Sequence, residues 1–151
     1  MKRFALLITF ITAMYLASAS FALAQDGSKS DEAGVRACIE LYFLGHSTGV
    51  GDHFRKAFHQ DAKLFFIRDG KVTQWTLEEY AGRSSGKPPL DEPQRKRRIE
   101  MIDITGSAAV AKIVLDYPAV TFTDYMSLLK IDGEWKIVNK TFYALPKASA
   151  K

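Results

Sequence analysis

Cysteine is almost missing from this chain. Cys38 is the single one among 151 residues, which excludes an intrachain disulfide framework and a thiolate zinc ribbon. Histidine is also scarce. His46, His53 and His59 share no repeated spacing, and no H-E-x-x-H pattern is present, so no metal site is expected. Strong charge of one sign is lacking: the net charge is +4, too small by itself to imply nucleic acid. No internal repeat occurs. What remains is 47% hydrophobic and 25% charged residues, the balance of one ordinary domain rather than a disordered or collagen-like chain.

The amino end reads as an address. Lys2 and Arg3 precede an uncharged apolar run from Phe4 to Ala17, and small residues end at Ala22-Leu23-Ala24. This is the pattern of a cleavable signal peptide over 1–24, with a second possible cut after Ala19. No cysteine stands at the cut, so a lipoprotein is excluded. The run from Phe4 to Ala24 is long enough to span a bilayer. Ser18 and Ser20 interrupt it and no basic stop-transfer flank follows, so we expect a periplasmic or secreted protein with no stable membrane span after cleavage. An uncleaved anchor is the alternative. Cleavage removes Lys2 and Arg3 and lowers the net charge to +2, which weakens the case for a polyanion partner. Export fits the near absence of cysteine, and Cys38 reads as a small buried apolar residue.

A polar leader over 25–31 follows. Ser30 is placed to cap a helix in which Val35, Cys38, Ile39, Tyr42, Phe43 and His46 recur at helical spacing. Gly49 and Gly51 end it, and Asp52 opens a short second helix. Asp69-Gly70 between two strand-like runs signals a hairpin. Thr76 and Glu79 have capping-box spacing for a third, short helix. The segment 84–93 holds Gly86, Pro88, Pro89 and Pro93 and reads as a loop. Four strand-like stretches follow, broken at Gly106-Ser107, Pro118 and Asp132-Gly133, and a tail occupies 146–151. Helices set against one face of an antiparallel sheet give an α+β domain over 32–145. A twisted sheet with a helix laid across it leaves a cone-shaped cavity suited to a small ligand.

Strand alternation assigns the faces. If Asp132-Gly133 is a two-residue turn, Lys130 opposes Trp135, Leu128 opposes Ile137, Met126 opposes Asn139 and Asp124 opposes Thr141. This set holds the apolar residues and faces inward, which carries Asp124, Met126 and Asn139 to the cavity. Tyr125, Ser127, Lys136 and Lys140 fall on the wetter face. Asp124 reads either as a cavity carboxylate, acting as general base or hydrogen-bond acceptor, or as a rim acid bonded to Asn139, Thr141 or backbone. His46 reads as a proton carrier at the cavity mouth or as a satisfied histidine near a helix end. Tyr42, one turn earlier, can present its hydroxyl to the cavity. Phe65, Phe66, Trp75 and Tyr80 read as core or cavity wall. His53 reads as solvent-facing. The run Arg95-Lys96-Arg97-Arg98 alternates faces and makes no continuous patch. It reads as a solvated strand start, or it places Arg98 near the cavity as the partner of an anionic ligand.

Three segments carry a resemblance. They are Tyr42–His46 with Gly51-Asp52 and Ala57–Ala62, then Ile102–Gly106 with Ala109–Lys112, and Phe122–Tyr125 through Gly133–Lys140. With these the chain resembles the nuclear transport factor 2-like (cystatin-like cone) superfamily, in its putative lumazine-binding branch near the polyketide-cyclase-like group. The resemblance implies a curved antiparallel sheet around an N-terminal helix with two shorter helices. It also implies a shared turn-fixing role for His59, an oxyanion-stabilising role open to Tyr42, and homodimerisation through the sheet face holding Tyr125, Ser127 and Leu129. The superfamily hosts isomerases, dehydratases, cyclases and non-catalytic binding modules. We therefore expect an exported small-molecule-binding protein without cofactor, whose ligand contacts are Tyr42, His46, Phe66, Trp75, Arg98, Asp124, Met126 and Asn139. Two alternatives stay open. One is a cofactor-free isomerase, dehydratase or cyclase with Asp124 or His46 as base and Tyr42 at the enolate; the other is a dimeric scaffold.

Overall fold

The computed structural model describes residues 29–148. The signal-peptide reading, its cleavage sites and the end of the tail lie outside them. The chain divides between Ala33 and Gly34 into two compact units, and the architecture below is that of the second. Helix α1 occupies 29–48 of the described residues, so it already includes the last residues assigned to the leader. Val35, Cys38, Ile39, Tyr42 and Phe43 form its buried stripe, the 3.6-residue period at work. Gly49 stops it with φ +69° and donates its N–H to the Gly45 carbonyl at 3.0 Å. A Cβ there would lie 2.2 Å from the Lys87 carbonyl oxygen, so both the turn and the loop packed on it require glycine.

Helix α2 (Gly51–Ala57) runs directly into β1 (Phe58–Arg68), which pairs with β2 (Lys71–Thr76). Asp69 and Gly70 both have positive φ, 52° and 72°, the twist-matched hairpin turn that Asp-Gly favours. Helix α3 (Leu77–Ala81) starts at the capping box: Glu79 N–H donates to Thr76 Oγ1 and Thr76 N–H donates to Glu79 Oε2. A 3₁₀ turn (Glu92–Gln94) leads into β3 (Lys96–Thr105), β4 (Ala108–Asp116), β5 (Val120–Ile131) and β6 (Glu134–Pro146). The six strands lie in the order β2-β1-β6-β5-β4-β3. Four pairings are antiparallel, and the parallel β1–β6 pairing joins the hairpin to the meander. The sheet is curved and open, not a barrel.

Register decides which side chains meet α1. From the Asp132-Gly133 turn the pairing runs as alternation predicts as far as Leu128 opposite Ile137. There it shifts. Val138 is an extra residue on β6, a β-bulge, and beyond it Ser127 opposes Asn139, Met126 opposes Lys140 and Asp124 opposes Phe142. A bulge inverts alternation for everything downstream of it. Two assignments are corrected. Lys140 turns inward and is 4% exposed, whereas Asn139 is half-buried on the other face with its amide donating to the Lys63 carbonyl.

Along β5 the inward residues are then Leu128, Met126, Asp124 and Phe122. The first three are buried, with Leu128 and Met126 inside the solid core formed with Val35, Ile39, Phe58 and Ile137. Phe122 is only partly buried, because there the core gives way to a hollow.

Candidate functional site

The hollow has a volume of about 520 Å³. Its walls are Phe66, Trp75, Leu115, Phe122 and Phe142, and its polar side is Tyr42, His46, Tyr80 and Lys140. Each polar group arrives from a different constraint. Tyr42 and His46 stand one turn apart on α1, so they share a face. Tyr80 is set by the capped start of α3. Lys140 is turned in by the Val138 bulge.

These groups form one hydrogen-bonded chain with Asp124. The Lys140 ammonium donates to the Tyr42 hydroxyl at 2.6 Å and to Asp124 Oδ2 at 3.1 Å. Tyr42 has one proton, and it donates it to Asp124 Oδ2 at 2.6 Å. Tyr80 lies 2.9 Å from His46 Nε2 and 3.4 Å from the Tyr42 hydroxyl. With Nε2 as acceptor Tyr80 donates to His46; with a proton on Nε2 it is free to donate to Tyr42. Asp124 Oδ1 is buried and has no hydrogen-bond partner among the described residues. The ammonium also lies 4.8 Å from the Tyr42 ring centre, 5.3 Å from Tyr80 and 4.8 Å from Phe142, cation–π distances in a dry setting.

Burial governs the protonation states. It lowers the Lys140 pKa, opposed by the Asp124 carboxylate. His46 is held well below its usual value by burial, then by the positive charges of Lys140, Arg97 and Arg95, so it is a neutral imidazole at pH 7. The Tyr42 and Tyr80 phenols are pushed well above theirs, chiefly by burial. The site thus holds one ion pair and three neutral proton carriers.

The expected contacts divide accordingly. Tyr42, His46, Phe66 and Trp75 border the hollow. Asp124 lies behind Tyr42 and Lys140 with no exposed surface, and Met126 sits within the core. Arg98 points away: it is exposed and pairs with Glu100 at 2.7 Å. Strand alternation turns Arg97 inward instead, where it grips both oxygens of Glu92 and lies 5.2 Å from the Tyr117 ring. His53 is half-buried, not solvent-facing, and its Nδ1 has no hydrogen-bond partner among the described residues. His59 accepts the Asp61 N–H at 3.2 Å, a local turn contact. Cys38 donates to the Ala57 carbonyl, and burial pushes its thiol up to about 11, which makes it inert. Among the described residues no three His, Cys, Asp or Glu side chains gather to hold a metal. No helix there is long and apolar enough to cross a membrane.

Lys140 is the residue that strand alternation missed. The one signal for it lies past the bulge, where Phe142 and Ala144 face the hollow with it.

Two outcomes follow from the buried pair. Lys140→Met strands a carboxylate and should destabilise by about 4 kcal/mol. The double variant Lys140→Met/Asp124→Leu should return to within about 2 kcal/mol of the parent, because no buried charge is left; urea unfolding of the singles and the double measures this. A folded pKa below the unfolded one means that His46 gives no penalty above pH 6.5 and an increasing one as pH falls below it. Between pH 7.5 and 5.5 the parent should therefore lose up to about 1.4 kcal/mol more stability than His46→Gln, and equal losses would refute the assignment.

Comparison with known proteins places this architecture. A nuclear transport factor 2-like protein of unknown function from Shewanella baltica OS155 is 28% identical with a TM-score of 0.71, over 78% of this chain and 95% of that one. One from Methylobacillus flagellatus KT, also of unknown function, is 30% identical with a TM-score of 0.66, over 76% and 92%. Aldolase FrzH of a Cladobotryum species is 24% identical over 127 residues, which is 83% of this chain and all of that protein. The family model described as Putative lumazine-binding matches residues 30–143. The fold, the hollow and this match agree: the chain belongs to the putative lumazine-binding family of the nuclear transport factor 2-like superfamily.

Proposed function

We propose that the protein binds a flat, largely apolar small molecule carrying a hydrogen-bond acceptor such as a carbonyl. The observation that carries this reading is the hollow itself. Phe66 and Phe142 stack at 4.8 Å with 27° between their planes, and Trp75 and Tyr80 at 6.2 Å with 25°. They form slabs on which a planar ring system packs, with the Lys140 ammonium as the donor beside them. Arg68 and Arg83 lie over the Trp75 ring at 5.5 Å and 4.5 Å. They make the Trp75 side electropositive, which favours a ligand with a negative or electron-rich end.

A second reading is enzymatic. It is favoured by the proton-carrying chain from His46 to Asp124 and by the likeness to an aldolase. In it the ligand is a carbonyl compound, Tyr42 and Lys140 stabilise the oxygen that gains charge, and neutral His46 or the Asp124 carboxylate, acting through Tyr42, takes the proton. No metal or organic cofactor enters either reading.

We further propose that the chain is exported after loss of 1–24 and pairs through the outer sheet face, where Tyr125, Val110 and Leu129 are exposed. Protein purified from an exporting host should have the intact mass of a chain beginning at Gln25 and should sediment as a dimer. A full-length mass or a monomer would count against the corresponding half of the proposal.

Binding is tested by thermal shift across planar heteroaromatic carbonyl compounds, lumazine included. A true ligand at a hundred times its Kd should add about 2.7 kcal/mol of stability. Trp75→Ala should weaken it about tenfold or more, while Arg98→Ala leaves it unchanged. A panel with no shift, or equal effects of the two variants, would remove the reading.

A further inference from the structure

We propose that Lys140 is a covalent nucleophile that forms a Schiff base with a carbonyl ligand in the hollow, with Tyr42 and Asp124 moving the protons. The inference rests on the enzymatic reading above and names the residue and bond through which it would act.

Three observations carry it. First, Lys140 borders the hollow although it is only 4% exposed, so what enters meets the amine with little water present. Second, the Lys140–Asp124 pair stands beside the hollow, at the edge of the apolar core. A buried ion pair is commonly replaceable by apolar residues without loss, and this one sits where the solid core ends. Third, its neighbours suit the steps. Tyr42 Oη lies 2.6 Å and Asp124 Oδ2 3.1 Å from Nζ. A carbonyl whose carbon reaches Nζ therefore has its oxygen within reach of the Tyr42 hydroxyl. Asp124 Oδ1, buried and unpaired among the described residues, is a further acceptor on the same carboxylate. Burial, by making the amine easier to deprotonate, adds to a case that geometry already makes.

The steps balance. The ammonium passes one proton to Asp124, and the free amine attacks the carbonyl carbon. The C–N bond forms as the C=O π bond opens, and the oxygen takes its proton from Tyr42, which is resupplied by Asp124. The nitrogen then gives up a second proton by the same route. The hydroxyl is protonated and leaves as water while C=N forms. Two hydrogens leave nitrogen and depart with the oxygen. The product is an iminium cation beside an ionised Asp124, so the site holds the same charges as before and needs no co-reactant. An iminium withdraws electrons from the carbon next to it, which activates that carbon for loss of a proton or for making and breaking a carbon–carbon bond.

The test is reductive trapping of the full mature protein. Benzaldehyde at limiting concentration and pH 7 is mixed with sodium cyanoborohydride, and the labelled lysines are located by peptide mass mapping. Exposed Lys71 and Lys87 serve as internal comparators. Lys140 should be labelled at least about tenfold faster than either, because the hollow holds the aldehyde against its amine. Lys140→Arg keeps a cation able to meet Tyr42 and Asp124; it should stay folded and lose only that fast label. Labelling of Lys71 and Lys87 with Lys140 unmodified overturns the proposal. Benzyl alcohol, which cannot form an imine, separates this failure from that of the binding reading: a thermal shift from it shows that the hollow accepts the ring whether or not Lys140 reacts.

Discussion

A lysine and an aspartate share the edge of an apolar interior, and much of the site answers to that fact. Lys140 and Asp124 have almost no exposed surface, yet they meet at 3.1 Å. Taking two such charges out of water costs several kcal/mol each, and their attraction offsets this only when the remaining donors and acceptors are engaged. That requirement places Tyr42: its hydroxyl gives a proton to one member and accepts one from the other. Tyr42 in turn fixes the rotation of α1, and with it the position of His46. Tyr80 completes the arrangement from α3, so the helix that the Thr76 capping box starts supplies the hydroxyl that meets His46 and Tyr42. A neutral His46 belongs to the same logic, since a positive charge there would add to those of Lys140, Arg97 and Arg95.

The fold was legible because its signals are local. Asp69-Gly70 and Asp132-Gly133 announce two hairpins, Thr76 with Glu79 announces a helix start, and the stripe from Val35 to Phe43 announces the face that α1 buries. Each rests on a few adjacent residues whose backbone chemistry has one common outcome. Where the candidate side chains stand on these elements has the same origin. Tyr42 and His46 share a face by helical spacing, Phe66 and Trp75 stand on the two strands of a hairpin, and Asp124 faces inward by alternation along β5 but lies behind the hollow.

The remainder depended on contacts that no local pattern announces. Nothing in Ile137-Val138-Asn139 marks Val138 as the bulged residue. Its placement is set by how β6 meets both β5 and β1, and each of those pairings shifts register near this point. One unseen insertion exchanged Asn139 for Lys140. The choice between Arg97 and Arg98 failed for a related reason: adjacent residues on a strand face opposite ways, and only the pairing of Arg97 with Leu115 says which is inside. Relatives of known structure and unknown function add the fold and leave the chemistry to the side chains.

The bulge also separates what the chamber contains from what the codons spell. Were Val138 drawn into regular pairing opposite Ser127, the rest of β6 would slide by one frame, withdrawing an ammonium and presenting a carboxamide in its stead, with no letter changed. In this scaffold the register of one strand is thus a control on the electrostatic character of the interior, set by where a single residue is left out of the ladder.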